Sequence, residues 1–406
     1  MKPRLIILIA FVFIVSARAE DWPRYHGPDN NGISRETGLL KAWPAGGPAR
    51  LWTAPLGAGY SSISIAGGRV YTMFQDKASQ FVVAFDEKTG KELWKQPIGP
   101  IYDANDSHDG PRATPTVDGN FVYAIGGNGE LVCAGVADGK PVWQKNILKL
   151  AGSANITWGI SQSAFIVGEM LFVNPGGNNN SAFMALSKKT GETIWKSGNG
   201  PEGYSTPVVS KAGGVEQLVF AAGKEVAGVR MKDGKVLWSF PWVTKYDVNA
   251  ASPIAWEDMV FVSSGYRHGA TVVKLDMTKP NPVTKLWVNQ NIQAHFGTPI
   301  LMDGMLYGYR DQVLTCVDFK TGAAKWSDEE REFPTKGQLT YADGLYYILG
   351  EKGTMVLAEL TPKGPRKISE YEISPGAERW APLAIANGRL YMRDEKQLYC
   401  MDIKAK

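Results

Sequence analysis

One unit recurs eight times along this chain of 406 residues, and nothing else in the sequence limits its fold so strongly. The first half of the unit is an apolar strand, a tight turn carrying Gly or an acidic residue, and a strand that ends in an aromatic. It reads Ala66-Gly67-Gly68-Arg69-Val70-Tyr71, then Val117-Asp118-Gly119 to Tyr123, Val167-Gly168-Glu169 to Phe172, and more loosely Ala212-Gly213-Gly214 to Phe220. Four further copies are Glu257-Asp258 to Phe261, Met302-Asp303-Gly304 to Tyr307, Ala342-Asp343-Gly344 to Tyr347, and Ala386-Asn387-Gly388 to Tyr391. Asp-Gly and Asn-Gly between apolar runs predict β-hairpins, because a type I′ turn needs positive φ at both central residues.

The second half is a strand, a Thr-Gly or Asp-Gly turn, and a Trp four residues after the Gly. It is complete at Ala84-Phe85-Asp86-Glu87-Lys88-Thr89-Gly90-Lys91-Glu92-Leu93-Trp94. The same spacing returns at Gly139/Trp143, Gly191/Trp195, Gly234/Trp238 and Gly322/Trp326, while Trp287 follows a rearranged turn. Two hairpins per repeat of roughly 40–50 residues make four antiparallel strands, the size of a propeller blade. The expected fold is therefore all-β, an eight-bladed β-propeller of four-stranded antiparallel blades spanning 49–406. A flat indole on each outer strand is expected to dock on the next blade, with its N–H seeking a carbonyl. Trp52, Trp94, Trp143, Trp195, Trp238, Trp287 and Trp326 take that role, and Tyr371 stands in for the Trp that blade seven lacks.

Closure follows from counting strands. The last blade, from Trp380 to Asp402, has strands for three positions, while Ala49-Arg50-Leu51-Trp52-Thr53 is an orphan that reads like a repeat's last strand. Pairing this N-terminal strand with the C-terminal blade closes the ring and removes exposed sheet edges. Cys133, Cys316 and Cys400 occupy the slot held by Ala84 in the clearest repeat, a small buried position. Blades two and six face each other across the ring, too far apart for a Cys133–Cys316 disulfide.

Residues 1–19 read as a secretory leader, with Lys2 and Arg4 before an apolar run from Leu5 to Val15 and Ala17-Arg18-Ala19 at the cleavage site. The run is about half the ~20 residues that span a bilayer. The product is expected to be periplasmic or secreted, monomeric, and without a membrane span. Losing Lys2, Arg4 and Arg18 lowers the formal charge from +4 to +1 (4 − 3), which gives no case for a nucleic-acid partner. Residues 20–48 form an N-terminal extension that either caps the central channel or leaves it open.

The Ala84-to-Trp94 stretch resembles the tryptophan-docking motif of quinoproteins and of pyrroloquinoline-quinone (PQQ)-like repeat proteins. The opening Asp21-Trp22-Pro23-Arg24-Tyr25-His26-Gly27-Pro28, with Asn31-Gly32-Ile33-Ser34, is similar to the start of exported bacterial propellers of that family. The resemblance covers the whole mature chain and implies two alternatives. One is a binding scaffold for envelope or extracellular proteins, as in the propeller subunit of the outer-membrane assembly machinery. The other is a PQQ-dependent alcohol or sugar dehydrogenase holding PQQ and Ca²⁺ on the propeller axis. The vicinal Cys-Cys pair of those dehydrogenases is absent here, and no lipobox Cys follows the leader. The expectation is a non-catalytic scaffold, with the oxidoreductase as alternative and catalytic residues unassigned.

Residues just before the innermost strands converge on the channel rim. Ser/Thr-Pro marks those strands at Thr114-Pro115, Thr206-Pro207, Ser252-Pro253 and Thr298-Pro299, with Ala381-Pro382 as the eighth equivalent. The rim candidates are therefore Tyr60, Arg112, Trp158, Tyr204, Asn249, His295 with Phe296, and Arg379 with Trp380. Arg forks and aromatic faces suit a planar, anionic ligand such as PQQ, or a small non-quinone ligand in the channel. The alternative is a rim that is polar and aromatic without a small ligand. The loop Tyr102–Asp109 is the densest run of oxygen donors, but it lacks the Gly and terminal Glu of an EF-hand loop. His26, His108, His268 and His295 are scattered and show no metal-ligand spacing, and no phosphate loop, His-Glu-x-x-His or Gly-x-Ser-x-Gly occurs.

Overall fold

The computed structural model describes residues 20–104, 108–373 and 378–405, so the expected leader lies outside the described residues. Eight antiparallel sheets follow one another along the chain, at 64–100, 116–146, 165–197, 208–241, 254–289, 300–327, 338–372 and 384–402. These are blades one to eight of a β-propeller. The eighth takes Ala49–Pro55 as its outermost strand, antiparallel to Gln397–Asp402, which closes the ring as the sequence predicts. No helix among the described residues is long and apolar enough to cross a membrane.

Seven of the eight inner hairpins turn through two residues, as the Gly- and acid-bearing dipeptides require. Gly67-Gly68, Asp303-Gly304, Asp343-Gly344 and Asn387-Gly388 have both central φ values positive, whereas Gly119, Gly168 and Glu257 carry the only positive φ of their turns. Blade four departs: Ser210 pairs with Gln217, and Ala212–Gly214 forms a short 3-10 turn in the longer connection.

Each outermost strand that bears a docking Trp carries a β-bulge beside it. In blade one Trp94 pairs with Ala84 and Glu92 with Phe85, so Leu93 is the extra residue. The same shift leaves Leu51, Val142, Ile194 and Leu286 unpaired beside their Trp, and these apolar side chains are exposed. A bulge bends and twists an edge strand, which blunts it as a template for pairing with another chain. The residue opposite six of the seven Trp is small, Ala84, Cys133, Ala185, Gly228, Cys316 or Cys400, and Val272 lies opposite Trp287, so the cysteines fill a slot for compact side chains under the indole. All three are buried free thiols.

The indoles sit on the glycines of the next blade's turn. A Cβ added to Gly90, Gly139, Gly191, Gly234 or Gly322 would come within 2.4–2.7 Å of Trp52, Trp94, Trp143, Trp195 or Trp287. Their Nε1–H groups donate to Glu87, Val136, Lys188, Met231 and Phe319 carbonyls, and Trp326 to that of Thr361. Tyr371 lies against Gly47 of the segment that precedes the closing strand. Trp238 departs from the expected bond. The blade-five turn, Met277 to Pro282, has no Gly for an indole to cover, and Trp238 donates instead to Gln217 of its own blade at 2.7 Å. It still packs against Val260, Val262 and Val273 of blade five.

Each docking Gly is thus required twice, for φ near +70° and for its missing Cβ. Gly90→Ala is expected to destabilise the protein by about 2–4 kcal/mol, adding left-handed strain to overpacking. Urea denaturation would measure this, and a loss below about 0.5 kcal/mol would contradict the docking geometry.

Hydroxyls stitch the inner strands together. Thr114 N–H donates to Ser163, Ser163 N–H to Thr206 and Ser252 N–H to Thr298 across successive blades. Thr116 and Thr340 donate their hydroxyls to Ala164 and Leu383 carbonyls of the following blade. At Thr206-Pro207 and Thr298-Pro299 the side-chain oxygen thus replaces the missing backbone ladder between blades.

The N-terminal extension is a strap across the base of the channel, the end where the inner hairpins turn. Trp22 exchanges backbone hydrogen bonds with Ile65, and the Pro23 carbonyl accepts Val117 N–H. Ile33–Ser34 adds a parallel strand to blade seven. The buried Glu36 carboxylate then accepts the Gly388 N–H at 2.8 Å and the Asn387 N–H of the blade-eight turn.

Candidate functional site

Above the strap, the opposite end of the channel opens as a cavity of about 340 Å³, within the range of small-ligand pockets. The loops before the inner strands build its mouth, and the strap supplies Tyr25 to its lining. Burial pushes the Tyr25 phenol up to about 12, and the Thr298 hydroxyl bonds it. Ser62, Thr114, Ser161 and Thr206 line the throat from four successive blades.

The mouth is a connected aromatic arc. Trp380 is its centre, with Tyr60 stacked at 4.8 Å, His108 at 4.6 Å and Phe296 at 5.3 Å between ring centroids. The Trp380 Nε1–H donates to Glu351 at 2.8 Å, and the Tyr60 hydroxyl to Glu395 at 2.6 Å, so both rings are held from behind. His108 Nε2 lies 3.2 Å from Glu378. The arc continues from Phe296 to His295 at 5.1 Å and from His295 to Tyr266 at 4.9 Å. On the far side Trp158 faces Tyr204 at 6.0 Å.

Arg112 is the cation of the lining. Its two terminal nitrogens donate to the His108 carbonyl at 2.9 and 2.7 Å, and its guanidinium lies 5.4 Å from the Tyr60 ring centroid. Burial, and then the nearby Lys336 ammonium, hold the His295 imidazole below its ordinary pKa. It is therefore mostly neutral at pH 7.

The structure brings together Tyr60, Arg112, Trp158, Tyr204, His295 and Trp380, with Phe296, around one cavity. It places Asn249 and Arg379 elsewhere. Asn249 is buried; its amide donates to the Ala222, Gly223 and Trp242 carbonyls and its oxygen accepts from Ser264, so its side chain ties loops together. Arg379 is also buried and lies 3.4 Å from Asp394. Both precede an inner strand, but buried partners hold each side chain away from the cavity. Residues missed from the sequence include Tyr25, which comes from the strap, and Tyr266, which comes from the turn between the second and third strands of blade five. Neither position precedes an inner strand, so repeat spacing carries no signal for them. His108 lies in the oxygen-rich loop, of which 105–107 fall outside the described residues; there Asp109 accepts the Ala104 N–H. No group of three or more His, Cys, Asp or Glu among the described residues could hold a metal ion.

The donor set does not suit PQQ with Ca²⁺. Ca²⁺ takes about 6–8 oxygen ligands, and among the described residues the cavity lining contains no carboxylate or carboxamide. Of its hydroxyls, Ser62 donates to the Pro382 carbonyl and Thr206 accepts Ser163 N–H. Among the described residues Arg112 is the one guanidinium of the lining, which leaves little positive charge to balance an anionic quinone.

A family profile described as outer membrane protein assembly factor BamB matches residues 78–328. The BamB of Aliivibrio fischeri is 30% identical over 86 residues, 21% of each chain. A tetrathionate hydrolase of Acidithiobacillus ferrooxidans is 23% identical over 255 residues, 58% of this chain and 47% of that protein. The chain thus spans less than half the length of either relative. Among solved structures, the quinohemoprotein alcohol dehydrogenase of Comamonas testosteroni is similar, with TM-score 0.65 and 12% identity over 95% of this chain and 81% of that one. That likeness is one of fold, and propellers of one fold host unrelated activities.

Proposed function

Because this chain belongs to the family of the outer membrane protein assembly factor BamB, we propose that it is an exported, non-catalytic binding propeller. Its open mouth engages a partner protein of the envelope or exterior, or a small ligand. One observation carries this reading: the mouth is an arc of stacked aromatic rings closed below by Tyr25, and its lining offers stacking faces and hydroxyls. Rigid, partly exposed Trp and Tyr side chains are the residue types that dominate binding energy at interfaces. The 1–19 leader supports export. The oxidoreductase alternative draws on likeness of fold, and the lining chemistry speaks against it.

Titrating the purified mature protein with Ca²⁺ and PQQ is expected to leave its absorbance and its Tm unchanged. A cofactor at 100-fold its Kd would stabilise the folded protein by about 2.7 kcal/mol, so a saturable Tm rise would overturn the non-catalytic reading. For the binding reading, pull-down from envelope extract should recover partners with the wild type and lose them with Trp380→Ala. Equal recovery by the variant would remove the mouth from the account.

A further inference from the structure

Two turns beside the mouth hold bulky side chains in left-handed backbone conformations. Tyr246 (φ 67°) with Asp247 (φ 56°), and Tyr266 (φ 56°) with Arg267 (φ 61°), are paired left-handed residues. Bulky side chains rarely adopt that conformation, and such outliers gather at functional sites. Burial does not compensate, because Tyr246 is 59% and Tyr266 42% exposed. The result of the strain is a fixed arrangement of rings. Tyr246 and Tyr266 meet edge to face at 5.7 Å, Trp158 meets Tyr246 at 6.4 Å, and Tyr266 meets His295 at 4.9 Å. The aromatic arc of the cavity thereby runs outward over the rim as a line of rings.

Cations flank that line. The Lys245 ammonium lies 4.8 Å from the Tyr246 ring centroid, Arg267 follows Tyr266, and Lys336 sits by His295. None of the three has an ion-pair partner among the described residues. The nearby carboxylates are Asp247, 3.7 Å from Lys224, and Asp311 and Glu351 near His295. Four cations against three carboxylates leave the strip positive by one, and its unpaired charges are the cations beside the tyrosines.

We propose that this strip docks an extended, acidic peptide segment of a partner protein, its aromatic or apolar side chains on the tyrosines and its carboxylates on Lys245, Arg267 and Lys336. The proposal rests on the reading of the mouth as a binding face and names the chemistry of the partner. A linear file of rings suits an extended chain, and unpaired cations around it select acidic residues and speed encounter.

The test uses glycine, which takes positive φ freely. The double variant Tyr246→Gly/Tyr266→Gly is expected to keep or raise the Tm, since it relieves strain at exposed sites. It should weaken binding of a fluorescein-labelled Asp/Phe-rich peptide by at least about tenfold, read by fluorescence anisotropy. Lys245→Glu/Arg267→Glu should weaken it as much, and added NaCl should weaken the wild-type complex. A Lys/Phe-rich peptide should not bind. A fall in Tm for the glycine variant would make the tyrosines structural and overturn the proposal. So would equal peptide binding by that variant, or wild-type binding only to anionic vesicles or to an oligosaccharide. If partners from extract are lost with Trp380→Ala but kept by the glycine variant, this proposal falls while the mouth remains a binding face; if neither variant changes recovery, both fall.

Discussion

Replacing Arg393 with alanine is expected to cost about 3–5 kcal/mol of stability at the ring seam. Arg393 ends a strand of blade eight, is 1% exposed, and reaches across to blade one. Its guanidinium donates to the carbonyls of Gly57 at 3.2 Å, Asp394 at 3.1 Å and Met73, and lies within 3.4–3.5 Å of Thr72 Oγ1 and the Ser61 carbonyl. Burial lowers its pKa only to about 10, so the group is charged at neutral pH and its charge is offset by that cage of oxygens. Alanine leaves a cavity and several buried carbonyls without donors, each carrying a desolvation cost of about 1–3 kcal/mol. Lysine should not rescue, because an ammonium cannot reproduce a planar fork of donors. Chemical denaturation of the purified variants would measure this, and a loss below about 1 kcal/mol would show that the seam is held by strand pairing alone.

Trp52→Ala is expected to cost about 3–5 kcal/mol, while Trp52→Phe costs only about 1–2. The indole covers Gly90 and packs among Val83, Phe85 and Tyr391, which joins the closing strand to blade one. Phenylalanine keeps most of that contact. The bond it loses, Nε1–H to the Glu87 carbonyl at 3.0 Å, is partly covered because Arg389 also donates to that carbonyl. Trp326→Ala is a matched comparison, as Trp326 keeps the same bond type but is only half-buried. It should lose less than Trp52→Ala in guanidinium titrations; equal losses would mean that ring closure places no special demand on Trp52.

The candidate site was partly legible. Six of eight rim positions met around one cavity because the repeat fixes where every inner strand begins. Asn249 and Arg379 did not, since which way a side chain points depends on the local backbone and on partners such as Ser264 and Asp394 that lie far away in sequence. Tyr25 and Tyr266 left no trace in the repeat, because one belongs to the strap and the other to a turn on the wrong side of its strand.

The fold was written in local chemistry. Two-residue turns need positive φ, a docking Trp needs a Cβ-free Gly on the next blade, and a strand missing at one end must pair with the orphan at the other. The first two constraints lie within one repeat or its neighbour and the third follows from counting strands, so the sequence alone determined an eight-bladed ring and its closure. What only the tertiary structure decided is where non-repeating pieces go. The strap crosses the base, Glu36 and Arg393 tie the seam, Trp238 turns to its own blade, and two strained tyrosines extend the mouth. Those contacts join residues up to some 350 positions apart, and their energies depend on burial and on partners that no spacing rule encodes.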